Sequence, residues 1–281
     1  ALVVEDIQPD INVPQIQVED SRKALAFLSD AFYNHPTQDI KVIGITATNG
    51  KTSTSFMTYT ILEKAGFKTG IIGTIMTKFG NYIEPSILTT PESLDLQRFF
   101  SQMREQKISH AVMEVSSSAL ELHRVANVDF DIVTLNNIGR EHIDLHGSFE
   151  QYVNVKTSLI RNAKESAWAV LNLDCPYSRS LIDETRANVV TYGVKDKSGH
   201  IYVKDLDLST GRARFKVVIN KPVQVGSMEY KPQEFNINLS VPGYHSVYNS
   251  LVAISVGLLC GIKIPVIQYA INSYKGVERR F

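Results

Sequence analysis

The chain contains little cysteine: Cys175 and Cys260 are the only two among its 281 residues. Two cysteines cannot form a zinc cluster by themselves, because a structural zinc site takes four ligands. We expect both side chains to be free thiols, as is usual in a reducing cytoplasm. The scarcity of cysteine therefore predicts a cytoplasmic protein without a zinc cluster of cysteines.

An excess of charge of either sign is also missing, since 29 lysine and arginine residues balance 29 aspartate and glutamate residues. Attraction to the DNA backbone or to an anionic membrane surface requires a net basic field. The composition therefore predicts no nucleic-acid partner and no binding to a membrane surface.

Long hydrophobic runs are absent as well. The longest apolar segment, residues 250–262, is shorter than the stretch of about 20 residues that spans a bilayer, and it predicts a buried helix. We therefore expect no membrane span. With 43% hydrophobic and 21% charged residues, the chain has the composition of a globular protein, and its length allows roughly two domains.

Strand and helix patterns alternate from residue 40 onward. Short apolar segments typical of buried strands lie at 41–46, 69–74, 109–115, 131–135, 167–172 and 188–192. Helical patterns lie between them at 52–65, 92–106, 149–163 and 176–185. This alternation predicts an α/β fold with a mostly parallel sheet flanked by helices.

The part of the chain after residue 200 has a different pattern. Residues 200–241 contain short alternating strands, which predict a small antiparallel β-sheet appended to the parallel one. Two helical patterns follow, at 245–260 and 264–273.

The first apolar strand runs directly into Gly50-Lys51-Thr52, and a helical pattern follows. Backbone N–H groups at a helix N-terminus favour an anion, Lys51 can reach the phosphates of a nucleotide, and the Thr52 hydroxyl can bind Mg²⁺. The standard pattern G-x-x-x-x-G-K-[ST] requires the preceding glycine to be one residue closer than Gly44. The order of strand, loop and helix predicts a variant P-loop; the alternative is an ordinary turn with an exposed lysine.

Further polar residues lie where ligands bind in parallel sheets, at the carboxyl ends of strands. Glu114 ends a buried strand, where it can bind Mg²⁺ or cap the following turn. His142 lies in a polar loop after the next strand and is either functional or structural. Thr89 and Thr90 open a helix, where hydroxyl groups serve as caps or bind phosphate.

These segments, in this order, resemble the Mur ligases, the ATP-dependent amide-forming enzymes of peptidoglycan precursor synthesis. Within that family they are similar to the MurE type, the UDP-N-acetylmuramoyl-tripeptide synthetases. The loop T-x-T-N-G-K-T at 46–52 is shared by Mur and folylpolyglutamate ligases, and the MurE type is indicated by Thr89-Thr90-Pro91 and Glu114-Val115-Ser116-Ser117. The resemblance covers about residues 18–281.

The resemblance implies an ATP site with Mg²⁺ as cofactor. The residues that would bind ATP are Thr48, Asn49, Gly50, Lys51, Thr52, Ser53 and, near the adenine, Asn249. Thr52 would bind a first Mg²⁺ ion, and Glu114 and His142 a second. Lys156 would become an anionic Mg²⁺ ligand after carbamylation by CO₂, whereas its helical pattern alone predicts a solvent-exposed lysine. The implied catalytic residues are Lys51, His142 and Lys156.

The resemblance also implies a UDP-linked substrate. Its binding residues would be Thr89, Thr90, Ser116 and Arg124. In the implied reaction, the γ-phosphoryl group of ATP converts the carboxylate of UDP-N-acetylmuramoyl-dipeptide into an acyl phosphate, which the amine of an amino acid then attacks. Either L-lysine or diaminopimelate is expected as that amino acid, and the protein is expected to be a monomer.

The same resemblance divides the chain into three parts. Residues 1–38 would be the end of a UDP-binding N-terminal domain with its linker, residues 39–275 the central ATP-binding domain, and residues 276–281 the start of a linker to an absent C-terminal domain. We therefore expect little or no ligase activity from the chain alone. Two alternatives stay open: a related Mur-like, folylpolyglutamate or cyanophycin-type ligase, and a non-catalytic nucleotide-binding module.

Overall fold

The computed structural model describes residues 1–139 and 147–277. The strands of these residues are β1 (Leu2–Val4), β2 (Gln15–Gln17), β3 (Lys41–Thr46), β4 (Thr69–Ile72), β5 (Met76–Phe79), β6 (Tyr82–Pro85), β7 (His110–Glu114), β8 (Phe130–Leu135), β9 (Trp168–Asn172), β10 (Asn188–Gly193), β11 (Ile201–Asp207), β12 (Arg212–Ile219), β13 (Val223–Val225), β14 (Met228–Tyr230) and β15 (Gln233–Pro242).

The helices of the described residues lie between these strands. They are α1 (Ser21–Phe32), α2 (Lys51–Lys64), α3 (Ser93–Glu105), α4 (Ser117–Glu121), α5 (Phe149–Arg161), α6 (Pro176–Arg179), α7 (Tyr244–Leu259) and α8 (Ile264–Ser273). Two short 3₁₀ helices are present at Pro36–Asp39 and Ser180–Ile182. The helix predicted for 176–185 is therefore shorter than expected, because its continuation tightens into one of these 3₁₀ turns.

One sheet of 11 strands dominates the fold, in the order β15-β12-β11-β10-β9-β8-β3-β7-β4-β5-β6. The strands from β10 to β4 in this order pair in parallel, which confirms the predicted α/β class. The predicted antiparallel strands are also present, and they continue the same sheet because β11 pairs in parallel with β10. At the opposite edge, β5 and β6 add two antiparallel strands that the sequence did not predict.

The central strands are buried on both faces of the sheet. One hydrophobic cluster joins Ile43 of β3 to Met57 of α2 and Leu251 of α7. The other joins Val42, the preceding residue of β3, to Phe100 of α3. Because helices cover both faces, solvent reaches the parallel strands at their ends, and this is where polar loops can form a site.

The N-terminal segment forms a separate small unit of secondary structure. Strands β1 and β2 pair in parallel with each other, outside the main sheet. Helix α1 begins after Asp20, whose side chain accepts hydrogen bonds from the backbone N–H groups of Arg22 and Lys23.

Two expectations from composition can be compared with the structure. Among the helices of the described residues, none combines the length and the apolar character that crossing a bilayer requires. Cys175 and Cys260 are both free thiols, as expected.

Candidate functional site

The loop between β3 and α2 has the predicted order of strand, tight turn and helix. Gly50 precedes the first residue of α2 and has a φ angle of +90°. A Cβ atom at Gly50 would lie 2.4 Å from Oδ1 of Asn249. Only glycine combines a favourable left-handed conformation with the absence of this clash.

The segment that follows β8 fixes the loop in place. The backbone N–H of Thr48 donates to the carbonyl oxygen of Asn137 over 2.9 Å, and the N–H of Asn49 donates to Asn137 Oδ1 over 3.0 Å. The Asn137 side chain returns a hydrogen bond to the Asn49 carbonyl, and the N–H of Gly139 donates to Thr48 Oγ1. The loop is therefore held from the side where the sheet continues to β8.

Two lysines share one carbonyl oxygen beneath this loop. Nζ of Lys51 donates to the Ala47 oxygen over 2.9 Å and to the Thr48 oxygen over 3.2 Å. Nζ of Lys156, from α5, donates to the same Ala47 oxygen over 3.0 Å. Two amine side chains therefore converge beneath the loop.

Lys156 is buried, so the prediction of a solvent-exposed lysine from the helical pattern is wrong. Its exposed fraction is 2%, and its Nζ atom lies 5.0 Å from the centre of the Tyr152 ring, one helical turn earlier. Burial, together with the charge of Lys51, lowers the pKa of Lys156 to about 7. The amine is therefore available as a free base near neutral pH.

Glu114 lies at the end of β7, next to the start of α2. The carboxylate is fully buried, and its Oε2 atom accepts hydrogen bonds from the hydroxyls of Thr52 and Thr74, over 2.9 and 3.0 Å. Its Oε1 atom accepts from the backbone N–H of Thr74. Burial raises the pKa of Glu114, whereas these hydrogen bonds and the charge of Lys51 oppose the rise.

The oxygen atoms at Glu114 suit Mg²⁺. Oγ1 of Thr52 and Oε2 of Glu114 lie 2.9 Å apart, which is the spacing of adjacent ligands around an ion with metal–oxygen distances of about 2.0–2.1 Å. Within residues 1–139 and 147–277, no group of three His, Cys, Asp or Glu side chains is placed to bind a metal. His142, the other predicted ligand, lies outside the described residues.

The residues expected to bind the UDP-linked substrate gather beside Glu114. Oγ1 of Thr90 donates to the Glu114 carbonyl oxygen over 2.8 Å, and the N–H of Ser116 donates to Thr90 Oγ1 over 3.1 Å. The hydroxyls of Thr89 and Thr74 lie 3.1 Å apart. The structure therefore brings together two segments that are 26 residues apart in sequence.

Arg124 completes this group. Its NH1 atom donates to the Thr90 carbonyl oxygen over 3.2 Å, and its NH2 atom forms an ion pair with Glu92 at 2.7 Å. Glu92 also pairs with Arg22 of α1, at 3.4 Å. The arginine is thus fixed at the edge of the site and connected to the N-terminal helix.

Two open cavities flank the loop. A cleft of about 370 Å³ is bordered by Asn49, Gly50 and Asn249, together with residues after β8 and β9. A second cavity, of about 690 Å³, is bordered by Thr52 and Ser53 at the start of α2. Asn249 and Ser53, which the resemblance assigned to one ATP site, therefore border different cavities.

Sequence reasoning missed Thr74 and Tyr152. Thr74 follows β4, which pairs with β7 in the sheet, so a carboxyl-end position was its only signal. Tyr152 lies four residues before Lys156, and its hydroxyl lies 2.8 Å from Thr48 Oγ1. Spacing along α5 could have indicated Tyr152 once Lys156 was placed in the site.

Family comparison is consistent with this geometry. The family model described as the Mur ligase middle domain matches residues 45–257, which is most of the chain. The chain belongs to the Mur ligase family. The matched range begins at Ile45, near the end of β3, and includes the loop, α2 and the residues around Glu114 and Lys156.

Relatives within the Mur ligase family indicate the MurE type, as the sequence predicted. The UDP-N-acetylmuramoyl-L-alanyl-D-glutamate--2,6-diaminopimelate ligase of Caldanaerobacter subterraneus subsp. tengcongensis is 41% identical over 276 residues, which cover 98% of this chain and 54% of that protein. The protein of the same name from Clostridium botulinum is 38% identical over 277 residues, which cover 99% of this chain and 54% of that protein. The chain spans about half the length of the curated relatives it matches.

Solved Mur ligase structures share the fold. A structure of a UDP-N-acetylmuramoyl-L-alanyl-D-glutamate--2,6-diaminopimelate ligase superposes with a TM-score of 0.84 at 22% identity, covering 100% of this chain and 55% of the other. The MurF ligase of Thermotoga maritima in complex with ADP gives a TM-score of 0.67 at 22% identity, covering 99% of this chain and 57% of the other. At such identities the likeness concerns the fold alone.

Proposed function

We propose that this chain is the ATP-binding part of a ligase that adds diaminopimelate to UDP-N-acetylmuramoyl-L-alanyl-D-glutamate. The proposal rests on the meeting of Lys51, Lys156 and Glu114 around one phosphate-type loop in a Mur ligase fold. The names of the relatives favour diaminopimelate over L-lysine. We also propose that residues 39–275 form the ATP-binding domain and that the flanking residues connect it to other domains.

The loop and its lysine would bind the triphosphate. The backbone N–H groups of the first turn of α2 and the positive end of its dipole favour phosphate oxygens. Lys51 would leave the carbonyl oxygens of Ala47 and Thr48 and turn to the phosphates. Thr52 and Glu114 would hold Mg²⁺, which supplies charge neutralisation at the phosphates when it is bound.

The reaction needs no nucleophile from the protein. A carboxylate oxygen of the UDP-linked dipeptide attacks the γ-phosphorus, the bond to ADP breaks, and an acyl phosphate forms. The amine of the amino acid then attacks the acyl carbon, phosphate leaves, and the amine loses a proton. Thr89, Thr90, Ser116 and Arg124 would position the UDP-linked substrate beside Glu114, where their contacts converge.

Replacing Lys51 with methionine is expected to weaken binding of Mg–ADP at least about tenfold, since a charge-assisted contact to phosphate is lost. Isothermal titration calorimetry on the chain measures this affinity. Lys64→Met, at the other end of the same helix, is the matched control and should bind like the wild type. Equal affinity of the Lys51→Met variant would contradict a phosphate-binding role for the loop.

A chimera tests the ligase part of the same proposal. The chain would replace the corresponding residues of the Caldanaerobacter relative, and product formation would be followed with ATP, the UDP-linked dipeptide and diaminopimelate. We expect the chimera to be active and its Lys51→Met form to be inactive. Turnover at a normal enzyme rate by the chain alone would overturn the proposed division into domains.

Lys156 is expected to take up CO₂ as a carbamate. Its neutral amine attacks the carbon of CO₂, an N–C bond forms, one C–O π bond becomes an oxygen lone pair, and the nitrogen releases a proton. With ¹³C-bicarbonate at pH 7–8, a carbamate signal should appear in the carbon NMR spectrum and disappear in Lys156→Met.

Lys164 provides the control for this measurement. Hydrogen bonds and charges of Asp129 and Asp131 raise the pKa of Lys164 against the effect of its partial burial, so its amine stays protonated. Lys164→Met should therefore retain the carbamate signal. A signal that persists without Lys156, or that never appears in the wild type, would exclude the proposed modification.

A further inference from the structure

A buried chain of hydrogen bonds connects β10 with the cleft beside the loop. The Tyr192 hydroxyl donates to Asn136 Oδ1 over 2.5 Å, and Asn136 Nδ2 donates to Asn249 Oδ1 over 2.9 Å. Tyr192 is fully buried, and the exposed fraction of Asn136 is 1%. Asn136 is thus almost closed to solvent although it borders the cleft, and Tyr192 lies behind it.

Each of these hydrogen bonds has a defined direction in the structure. Burial raises the pKa of Tyr192 well above its ordinary value, so its hydroxyl keeps its proton, and the geometry shows that proton donated to Asn136 Oδ1. A protonated phenol can accept as well as donate, but an Asn136 amide turned the other way would take the acceptor away from the Tyr192 proton. The observed hydrogen bond therefore favours the oxygen of Asn136 towards β10 and its nitrogen towards Asn249. The Asn172 side chain also donates to the Asn136 carbonyl oxygen, which fixes the backbone there.

Asn249 connects these hydrogen bonds with the cleft. Its exposed fraction is 6%, and it borders the cleft of about 370 Å³ together with Gly50. The oxygen of its side chain is engaged by Asn136, so the nitrogen is the group left to donate to a ligand. Tyr192 does not itself border the cleft.

We infer that Tyr192 is a positioning residue for the nucleotide: through Asn136 it orients Asn249 so that the cleft offers an N–H donor to a purine base. This inference rests on the proposed nucleotide binding. It concerns the direction of hydrogen bonds rather than their number, so variants that reverse the direction should change which base is preferred.

Asn136→Asp is the variant that reverses the direction. A carboxylate accepts from Tyr192 and from Asn249, so the Asn249 side chain must turn its nitrogen to Asp and its oxygen to the cleft. Asn249→Asp places an acceptor in the cleft directly. The ratio of the dissociation constants for ADP and IDP should therefore change by roughly fivefold or more, in the same direction in both variants.

Tyr192→Phe removes only the hydroxyl that sets the direction. Both orientations of Asn136 then make the same number of hydrogen bonds, so both become populated. Its ADP to IDP ratio should lie between those of the wild type and Asn136→Asp. Tyr230→Phe is the control, because it removes another buried hydroxyl, which donates to the Ile262 carbonyl oxygen and is not part of these hydrogen bonds. The ADP to IDP ratio of this variant should equal that of the wild type.

The outcomes separate this inference from the proposed function. A wild-type chain that binds neither ADP nor tripolyphosphate would remove the nucleotide proposal and the inference with it. Wild-type binding of ADP with an unchanged base ratio in Tyr192→Phe and Asn249→Asp would overturn the inference alone. These two variants decide the question even if Asn136→Asp does not fold.

Discussion

Gly50→Ala should destabilise the protein by about 1–3 kcal/mol and abolish measurable nucleotide binding. The φ angle of +90° is unfavourable for alanine, and the new Cβ would lie 2.4 Å from the oxygen of Asn249. Relief of that contact requires the loop or Asn249 to move, and both border the cleft. Urea unfolding and calorimetric titration with Mg–ADP measure the two effects.

Gly66→Ala separates backbone strain from the steric clash. Gly66 has a φ angle of +88°, but a Cβ atom there would meet nothing within 4 Å. Its alanine variant should lose stability through strain alone and bind nucleotide normally. If Gly50→Ala and Gly66→Ala behave alike in both measurements, the close approach of Asn249 has no role in the loop.

Lys156→Met is expected to stabilise the protein by on the order of 3 kcal/mol below pH 7, in buffer free of CO₂. Lowering the pKa of a lysine from 10.5 to about 7 corresponds to roughly 4–5 kcal/mol of lost stability. The substitution also removes the hydrogen bond to the Ala47 carbonyl oxygen, which reduces the expected stabilisation by about 1 kcal/mol. Methionine has a similar volume and suits the apolar surroundings.

The pH dependence has a defined sign. Below pH 7 the native and the unfolded chain both bind the Lys156 proton. The buried charge then lowers the free energy of unfolding by its full amount, and this amount does not change with pH. Between about pH 7 and 10.5 only the unfolded chain binds it, so the free energy of unfolding rises with pH. Lys156→Met should lack this rise, whereas Lys164→Met should keep it. Parallel pH profiles for wild type and Lys156→Met would contradict the lowered pKa.

Local sequence patterns predicted the central strands because the residues of each strand are enough to identify it. Strands such as β3 and β9 are buried on both faces and flanked by helices, so a short apolar run identifies them. No comparable signal marks β5 and β6. The burial in β5 alternates over only four residues, and Ile83, Glu84 and Pro85 of β6 are all exposed. Their position depends on pairing with β4, which is a contact between strands rather than a local pattern.

The candidate site was predictable where a motif lies in one segment and not where segments meet. Lys51 and Glu114 could be proposed from their positions after strands. The burial of Lys156 could not, because it depends on how α5 packs under the loop. Tyr192 gave no sequence signal at all, since its hydroxyl acts on Asn136, which is 56 residues away in sequence.

Lys51 and Lys156 lie close enough to share the carbonyl oxygen of Ala47, so proton binding by Lys156 and anion binding by Lys51 depend on each other. The charge of Lys51 contributes to the low pKa of Lys156, so an anion that neutralises Lys51 raises that pKa. By thermodynamic reciprocity, protonation of Lys156 increases the affinity for the anion by the same factor. In the absence of CO₂, nucleotide binding near neutral pH should therefore be accompanied by proton uptake from the buffer.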